Sequence, residues 1–213
     1  MRVVAIDGPA GSGKSTVARR LASRLELDYL DTGAMYRAVA FAALRRGMDP
    51  SDAEPVARMA RELEITVEEH RVTVDGVDAT IEIRGPEVTR AVSAVAANVE
   101  VRAELVRRQR EWARQRGGGV IEGRDIGTVV FPDAQLKAYL TARLDVRAAR
   151  RHQEVADMDY EAVAADMARR DTYDSERQAD PLLKASDAVA VDTSDRSVDE
   201  IVDDLVARLA APR

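Results

Sequence analysis

The 213-residue chain has no cysteine and only two histidines, His70 and His152. Without thiols there is no disulfide framework, no thiolate nucleophile and no Cys-type zinc site. So few imidazoles also exclude a His-rich metal centre. A hard cation held by oxygens, such as Mg2+, stays open. Long apolar runs are missing as well. The longest near the start, Ala38 to Leu44, falls far short of the ~20 residues that a spanning helix needs, so no membrane partner is expected. The N-terminal residues do not have the form of a signal peptide, because a strand and a glycine turn begin there, and the expected location is cytoplasmic. Positive charge is not in excess. A net charge of −6 gives no broad electrostatic footprint for nucleic acid. Lysine is scarce, with 3 against 29 arginines. Alanine is abundant too, so arginine in general reads as coding bias and only particular arginines bear on chemistry.

The residues present are 46% hydrophobic and regularly interrupted by charge, a folded composition of a size for one α/β domain with an insertion. Arg2–Asp7 reads as a buried strand, Gly8–Ser15 as a glycine-rich turn and Lys14–Leu25 as a helix with Val17, Leu21 and Leu25 at helical spacing. Further strands are expected at Leu27–Leu30, Val120–Glu122, Leu136–Thr141 and Ala188–Asp192. Helices are expected at Thr32–Arg46, Ala53–Leu63, Pro86–Ala97, Val101–Arg116, Asp145–Arg170 in two pieces, and Val198–Leu209, with a break at Gly117–Gly119 and a polar loop over Asp171–Pro181. Strands alternating with helices imply a five-stranded parallel sheet covered by helices on both faces, with ligands at the carboxyl ends of the strands. Glu64–Glu68, Arg71–Asp75 and Ala79–Ile83 break that pattern. They alternate β-branched with polar residues around a strong hairpin signal, Asp75-Gly76, and read as a small antiparallel insertion.

Gly8-Pro9-Ala10-Gly11-Ser12-Gly13-Lys14-Ser15 fits G-x-x-x-x-G-K-[ST] between a strand and a helix. Glycines let the backbone wrap a phosphate with its N–H groups turned inward, and the helix N-terminus adds positive potential. Lys14 can bridge the β- and γ-phosphates and Ser15 can place its hydroxyl on Mg2+. The loop indicates a triphosphate but no single reaction. A GTP switch would need an Asn-Lys-x-Asp run, which is absent. A motor ATPase would need an acidic strand end, of which Val120-Ile121-Glu122 is a faint version. A kinase with a phosphorylated acceptor needs a second anion site built of arginines. Tyr36-Arg37, Arg102 with Arg107-Arg108, and the run Arg147, Arg150, Arg151, Arg170 and Arg177 are each readable as solvated helix faces. Arg124 stands apart, because it follows a buried strand. A kinase for another small acceptor and a nucleotide-dependent binding module both remain open at this level.

Four segments go further: Ile6-Asp7-Gly8-Pro9, Leu30-Asp31-Thr32-Gly33-Ala34-Met35-Tyr36-Arg37, Glu122 to Pro132 (EGRDIGTVVFP), and Arg170-Asp171-x-x-Asp174-x-x-Arg177. In that order the chain resembles bacterial cytidylate kinase from Val3 to about Asp192. The resemblance implies the three-layer P-loop fold as one core over 1–213, a CMP-binding insertion at 63–95 and a helical lid at 145–181. It also implies ATP, CMP and dCMP as substrates, Mg2+ as cofactor, and a monomer. By the same resemblance Arg37, Arg124 and Arg177 hold the acceptor's phosphate, and Arg124 and Arg177 share catalysis with Lys14. Thr32 and Tyr36 line the acceptor, and Ser93, Arg102 and Asp125 read the cytosine edge. Arg170 and Asp174 lie near the sugar. ATP falls to Gly8–Ser15, Thr16, Arg147 and Arg151, with Ser15 on the metal. Thr172 and Tyr173 depart from the family, which often carries charged residues there. On residue type alone Ser93 reads equally as packing in an Ala/Val helix, Asp125 as a partner of Arg124, and Trp112 and Met35 as core.

Transfer to a phosphate monoester needs alignment and charge neutralisation rather than a strong base. With Lys14 taken as an accessible charge on a loop, Lys14→Ala is expected to stay folded and lose a hundredfold or more in turnover, about 3 kcal/mol. Coupled ADP-release kinetics with circular dichroism checks both halves.

Overall fold

The computed structural model describes residues 1–154, 159–177 and 179–210. In chain order the elements are β1 (Arg2–Asp7), α1 (Lys14–Leu25), β2 (Tyr29–Asp31), α2 (Thr32–Arg45), α3 (Ala53–Glu62), β3 (Ile65–Val67), β4 (Val72–Val74), β5 (Val77–Asp78), α4 (Pro86–Ala97), α5 (Val99–Gln115), β6 (Gly118–Gly123), β7 (Leu136–Thr141), α6 (Leu144–Glu154), α7 (Tyr160–Glu176), β8 (Val189–Asp192) and α8 (Val198–Ala210). The five-stranded sheet runs β2-β6-β1-β7-β8 and the three-stranded one β3-β4-β5. The chain divides into two compact units, Met1–Asp28 with Gly117–Arg213, and Tyr29–Arg116. Residues 155–158 and 178 of the expected lid lie outside the described residues.

In the first unit β1 pairs in parallel with β6 on one side and β7 on the other, and β7 pairs with β8. A central parallel strand is covered on both faces, so it must be continuously apolar, and Val3 to Ile6 are all buried. Val17, Ala18 and Leu21 of α1 and Ile201, Val202 and Leu205 of α8 add one buried stripe each, and the two helices pack together. The register places Ile6 opposite Glu122 and Asp7 opposite both Gly123 and Tyr139. Two acidic side chains therefore arrive at the same carboxyl edge of the sheet.

In the second unit α2 packs on α4, and α3 on α5. Asp31 caps α2, its carboxylate accepting from the Ala34 N–H at 3.0 Å. Asp75 and Gly76 form the hairpin turn with φ of 50° and 74°, the double positive φ of a type I′ turn, and Val74 faces Val77 across it. Arg108, read from sequence as part of a solvated face, instead caps the end of α3. It donates to the carbonyls of Leu63, Ala60 and Arg61, groups a helix end leaves without partners.

Three further expectations are corrected. Ala79–Ile83 is not a strand; β5 stops at Asp78, and a 3-10 turn spans Glu82–Arg84. The Asp78 carboxylate accepts from both the N–H and the hydroxyl of Thr80, a local bond that competes with the ladder. Asp171–Glu176 is not loop but the last turns of α7, fastened where Arg147 pairs with Asp171 at 2.7 Å. Gly118 and Gly119 are not a break but open β6. A Cβ at Gly118 would sit 2.0 Å from the Arg2 carbonyl oxygen, so only glycine lets β6 start against β1. Gly118→Ala is expected to lower unfolding free energy by more than about 3 kcal/mol, against about 1 kcal/mol for Gly47→Ala, whose φ is also positive but whose surroundings are open. Urea denaturation of the two variants tests the contrast.

Candidate active site

The loop after β1 turns at Gly8, where φ is 147° and a Cβ would meet the Leu140 carbonyl oxygen at 2.0 Å. It ends at Gly13, the cap of α1, in the left-handed region and with no side chain to bond the first helical N–H groups. Those donors face outward from a helix start, an arrangement suited to an anion. The Lys14 ammonium donates to the Pro9 carbonyl at 2.7 Å and the residue is 6% exposed. This corrects the expectation of an accessible charge: the side chain folds back beneath the loop. Burial first, and then the nearby Arg124 cation, draw its pKa down to about 7. Ser15 donates its hydroxyl to a Glu122 carboxylate oxygen at 3.0 Å. Ser15 of the loop and Glu122 of β6 thus form an oxygen pair, a hydroxyl and an acid, of the donor type that could hold a hard cation.

Arg124 emerges just beyond β6, as its position after a buried strand predicted. Its Nε donates to Asp174 of α7 at 2.8 Å. Burial works to raise the Asp174 carboxyl, but Arg124 and Arg170 outweigh it and hold the group below the usual range. Arg170 is itself pushed down, by burial and then by Arg124. Asp125 lies 3.9 Å from the Arg177 guanidinium, and the Arg177 Nε donates to the Asp180 carbonyl at 2.6 Å. Arg124, Asp125, Asp174 and Arg177 are thus joined by two ion pairs. Arg147, expected on the ATP side, is buried. It donates to the carbonyls of Ala142 and Ala10 and pairs with Asp171. Arg151 lies one helical turn on, half-buried.

In the second unit Thr32 and Tyr36 are buried on one face of α2, four residues apart and so one above the other. The Arg102 guanidinium of α5 sits 5.7 Å from the centre of the Tyr36 ring, within cation–π range. Arg37 donates from Nη1 to the Ile83 carbonyl at 3.0 Å and to the Thr89 hydroxyl at 2.9 Å. Ser93 is half-buried on α4. Met35 is in the core, at 6% exposed, while Trp112, expected there, is only half-buried and carries Arg116 over its ring at 4.7 Å.

Sequence reasoning missed two anchors. Asp7, given no role, is buried and accepts from the N–H groups of Ile126 and Gly127, both at 2.8 Å. Burial lifts its carboxyl to about 6, against the pull of those two bonds. It fixes the start of a π-helical turn over Ile126–Val130, directly after Arg124 and Asp125. The signal was an acid ending an otherwise apolar strand. The second is Thr193, just after β8, which donates to the Ser12 carbonyl of the loop at 3.0 Å.

Residues 4–211 match the family model described as cytidylate kinase. The chain is 52% identical to the cytidylate kinase of Mycolicibacterium paratuberculosis over 95% of its own length and 92% of that protein's. It is 49% identical to the cytidylate kinase of Desulfitobacterium hafniense over 96% and 90%. Among solved structures, an uncharacterized protein from Eubacterium ventriosum superposes over the full length of both chains with a TM-score of 0.57 at 13% identity, a likeness of fold alone. With the parallel sheet, the G-x-x-x-x-G-K-S loop and the Arg124–Asp174 pair in place, these matches place the chain in the cytidylate kinase family, as a nucleoside monophosphate kinase.

Proposed function

We propose that this chain moves the γ-phosphoryl group of ATP onto the 5′-phosphate of CMP and dCMP. The observation that carries the reading is the buried Lys14 at a bare helix start, beside the arginine-rich end of the same sheet. ATP lies on Gly8–Ser15 and Thr16, with Arg151 and the loop-holding Arg147 on its lid side. The acceptor's phosphate is taken by Arg37, Arg124 and Arg177. Ser93, Arg102 and Asp125 read the base, Thr32 and Tyr36 line the acceptor, and Arg170 and Asp174 serve the sugar. An acceptor oxygen attacks the phosphorus in line, and Lys14, Arg124 and Arg177 stabilise the charge that spreads over the transferred group. The region 145–181 closes to exclude water.

The donor set fits Mg2+. Ser15 and Glu122 supply hard oxygens, and among the described residues no three acids or histidines gather to hold a metal unaided, which leaves the remaining positions to phosphates and water. Bound there, the cation would neutralise phosphate charge. A panel of CMP, dCMP, UMP, AMP and GMP with ATP in an ADP-release assay tests the reaction. Turnover on GMP or AMP ahead of CMP would sink it.

Two outcomes follow for variants. Ser93→Ala should lower kcat/KM for CMP about tenfold and for UMP far less. The N4 amino group of cytosine loses an acceptor, costing roughly 1–3 kcal/mol, and uracil has no donor there. Equal losses on both substrates would make Ser93 a packing residue. Lys14→Met should abolish transfer, and its ligand-free stability relative to wild type should fall as the pH rises from 7 to 9. The sign follows from a folded pKa of about 7 below the ordinary 10.5. Between those values the unfolded wild-type chain binds more protons, so wild-type stability gains with pH a contribution that the variant lacks. Calorimetry at pH 7 and pH 9 reads it, and a relative stability of the variant that rises at pH 9 contradicts the assignment.

A further inference from the structure

A backbone that turns successive N–H groups inward around an anion must turn carbonyls outward, and a buried outward carbonyl needs a donor. At Ala10 and Ser12 the donors come from α6 and from the segment just after β8. Arg147 donates from Nη1 to the Ala10 carbonyl at 3.1 Å. Thr193, 2% exposed, donates from its hydroxyl to the Ser12 carbonyl at 3.0 Å. Thr193 is held in turn by Arg150, whose Nη1 donates to the Thr193 hydroxyl oxygen at 3.0 Å and whose Nη2 donates to the Thr193 carbonyl at 2.7 Å. Its own N–H is fixed to the Thr141 carbonyl at 2.8 Å.

The direction of the chain is set by proton count. A threonine hydroxyl has one proton. The guanidinium can only donate, so Arg150 occupies a lone pair and leaves the proton aimed at Ser12. The Arg150–Thr193–Ser12 relay therefore has one polarity, and removing either end frees the hydroxyl to turn away. Gly13, the next loop residue, has space for a Cβ only 3.7 Å from Arg150 Nη1 and 3.9 Å from the Thr193 hydroxyl, so the relay lies directly against the turn that ends the loop.

We infer that Thr193, oriented by Arg150, is a positioning residue that holds the phosphate loop in its anion-receiving shape and so sets affinity for the triphosphate substrate. The inference rests on ATP occupying Gly8–Ser15. Thr193→Val keeps the volume and removes the proton. It raises the KM for ATP about tenfold, leaves kcat within about threefold and leaves CMP affinity by calorimetry unchanged. Thr193→Ser restores the hydroxyl and returns the KM to within about twofold of wild type. Arg150→Gln, which loses the forked grip, shifts the KM for ATP in the same direction. Combined with Thr193→Val it adds little, as expected for two members of one relay.

A residue that only supports the fold would lower CMP affinity and thermal stability together, without the split between the two substrates. An unchanged KM for ATP in folded Thr193→Val overturns the proposal, as does an equal loss of CMP affinity. Should Thr193→Val fail to fold, an Arg150→Gln protein with wild-type KM for ATP overturns it. A wild-type protein that neither binds nor turns over ATP would instead refute the reading of Gly8–Ser15, a separate outcome.

Discussion

A phosphate loop is a peptide segment in which one side of the backbone is reserved for a ligand, and that reservation constrains everything around it. The N–H groups cannot be satisfied within the protein without filling the site, while the carbonyls on the other side must be satisfied or they destabilise the fold. Here three carbonyls of the loop find three different donors: the ammonium of Lys14 at Pro9, a guanidinium of α6 at Ala10 and a hydroxyl beyond β8 at Ser12. β1 lies between β6 and β7, and the segments that follow β7 and β8 carry Arg147 and Thr193 to its loop.

The second theme is charge gathered where water is scarce. Asp7, Lys14, Glu122, Arg124, Asp174 and Arg177 occupy one end of the first unit, and alternating signs keep any single ion from standing alone. Removing one partner of a buried pair is far costlier than the pair itself is stabilising. The consequences appear in opposite shifts: Lys14 falls towards neutrality while Asp7 climbs to about 6, each moved by burial towards its uncharged form. Negative charge brought beside such a lysine would favour its protonated form.

How much of this was legible in sequence depended on the kind of signal. The parallel sheet followed from apolar runs such as Arg2–Asp7, and the hairpin from Asp75-Gly76, because both are local and periodic. Arg124 was found by its place after a buried strand. Failures came where a side chain overrode the local pattern. Thr80 alternates like a strand residue but is captured by Asp78. Asp171–Glu176 is polar enough for a loop, yet Arg147 and the buried Val163 and Met167 carry the helix through it. Gly117–Gly119 looked like a break because glycine's usual meaning is a turn; its use at Gly118 is to let two backbones touch. Asp7, Glu122 and Thr193 matter through partners more than a hundred residues away in sequence, and no window along the chain contains both ends of those bonds.

The scarcity of lysine acquires a use once burial is known. Two of the three ammonium groups, on Lys14 and Lys137, are under cover, 6% and 8% exposed, and Lys184 alone is exposed. An amine-directed acylating reagent therefore meets a surface almost without side-chain targets. The lowered pKa leaves a sizeable fraction of the Lys14 amine unprotonated near neutral pH, the form that reacts once reached. Protection of that one amine, read by peptide mass, makes covalent labelling a direct gauge of how often the loop opens and of what occupies it.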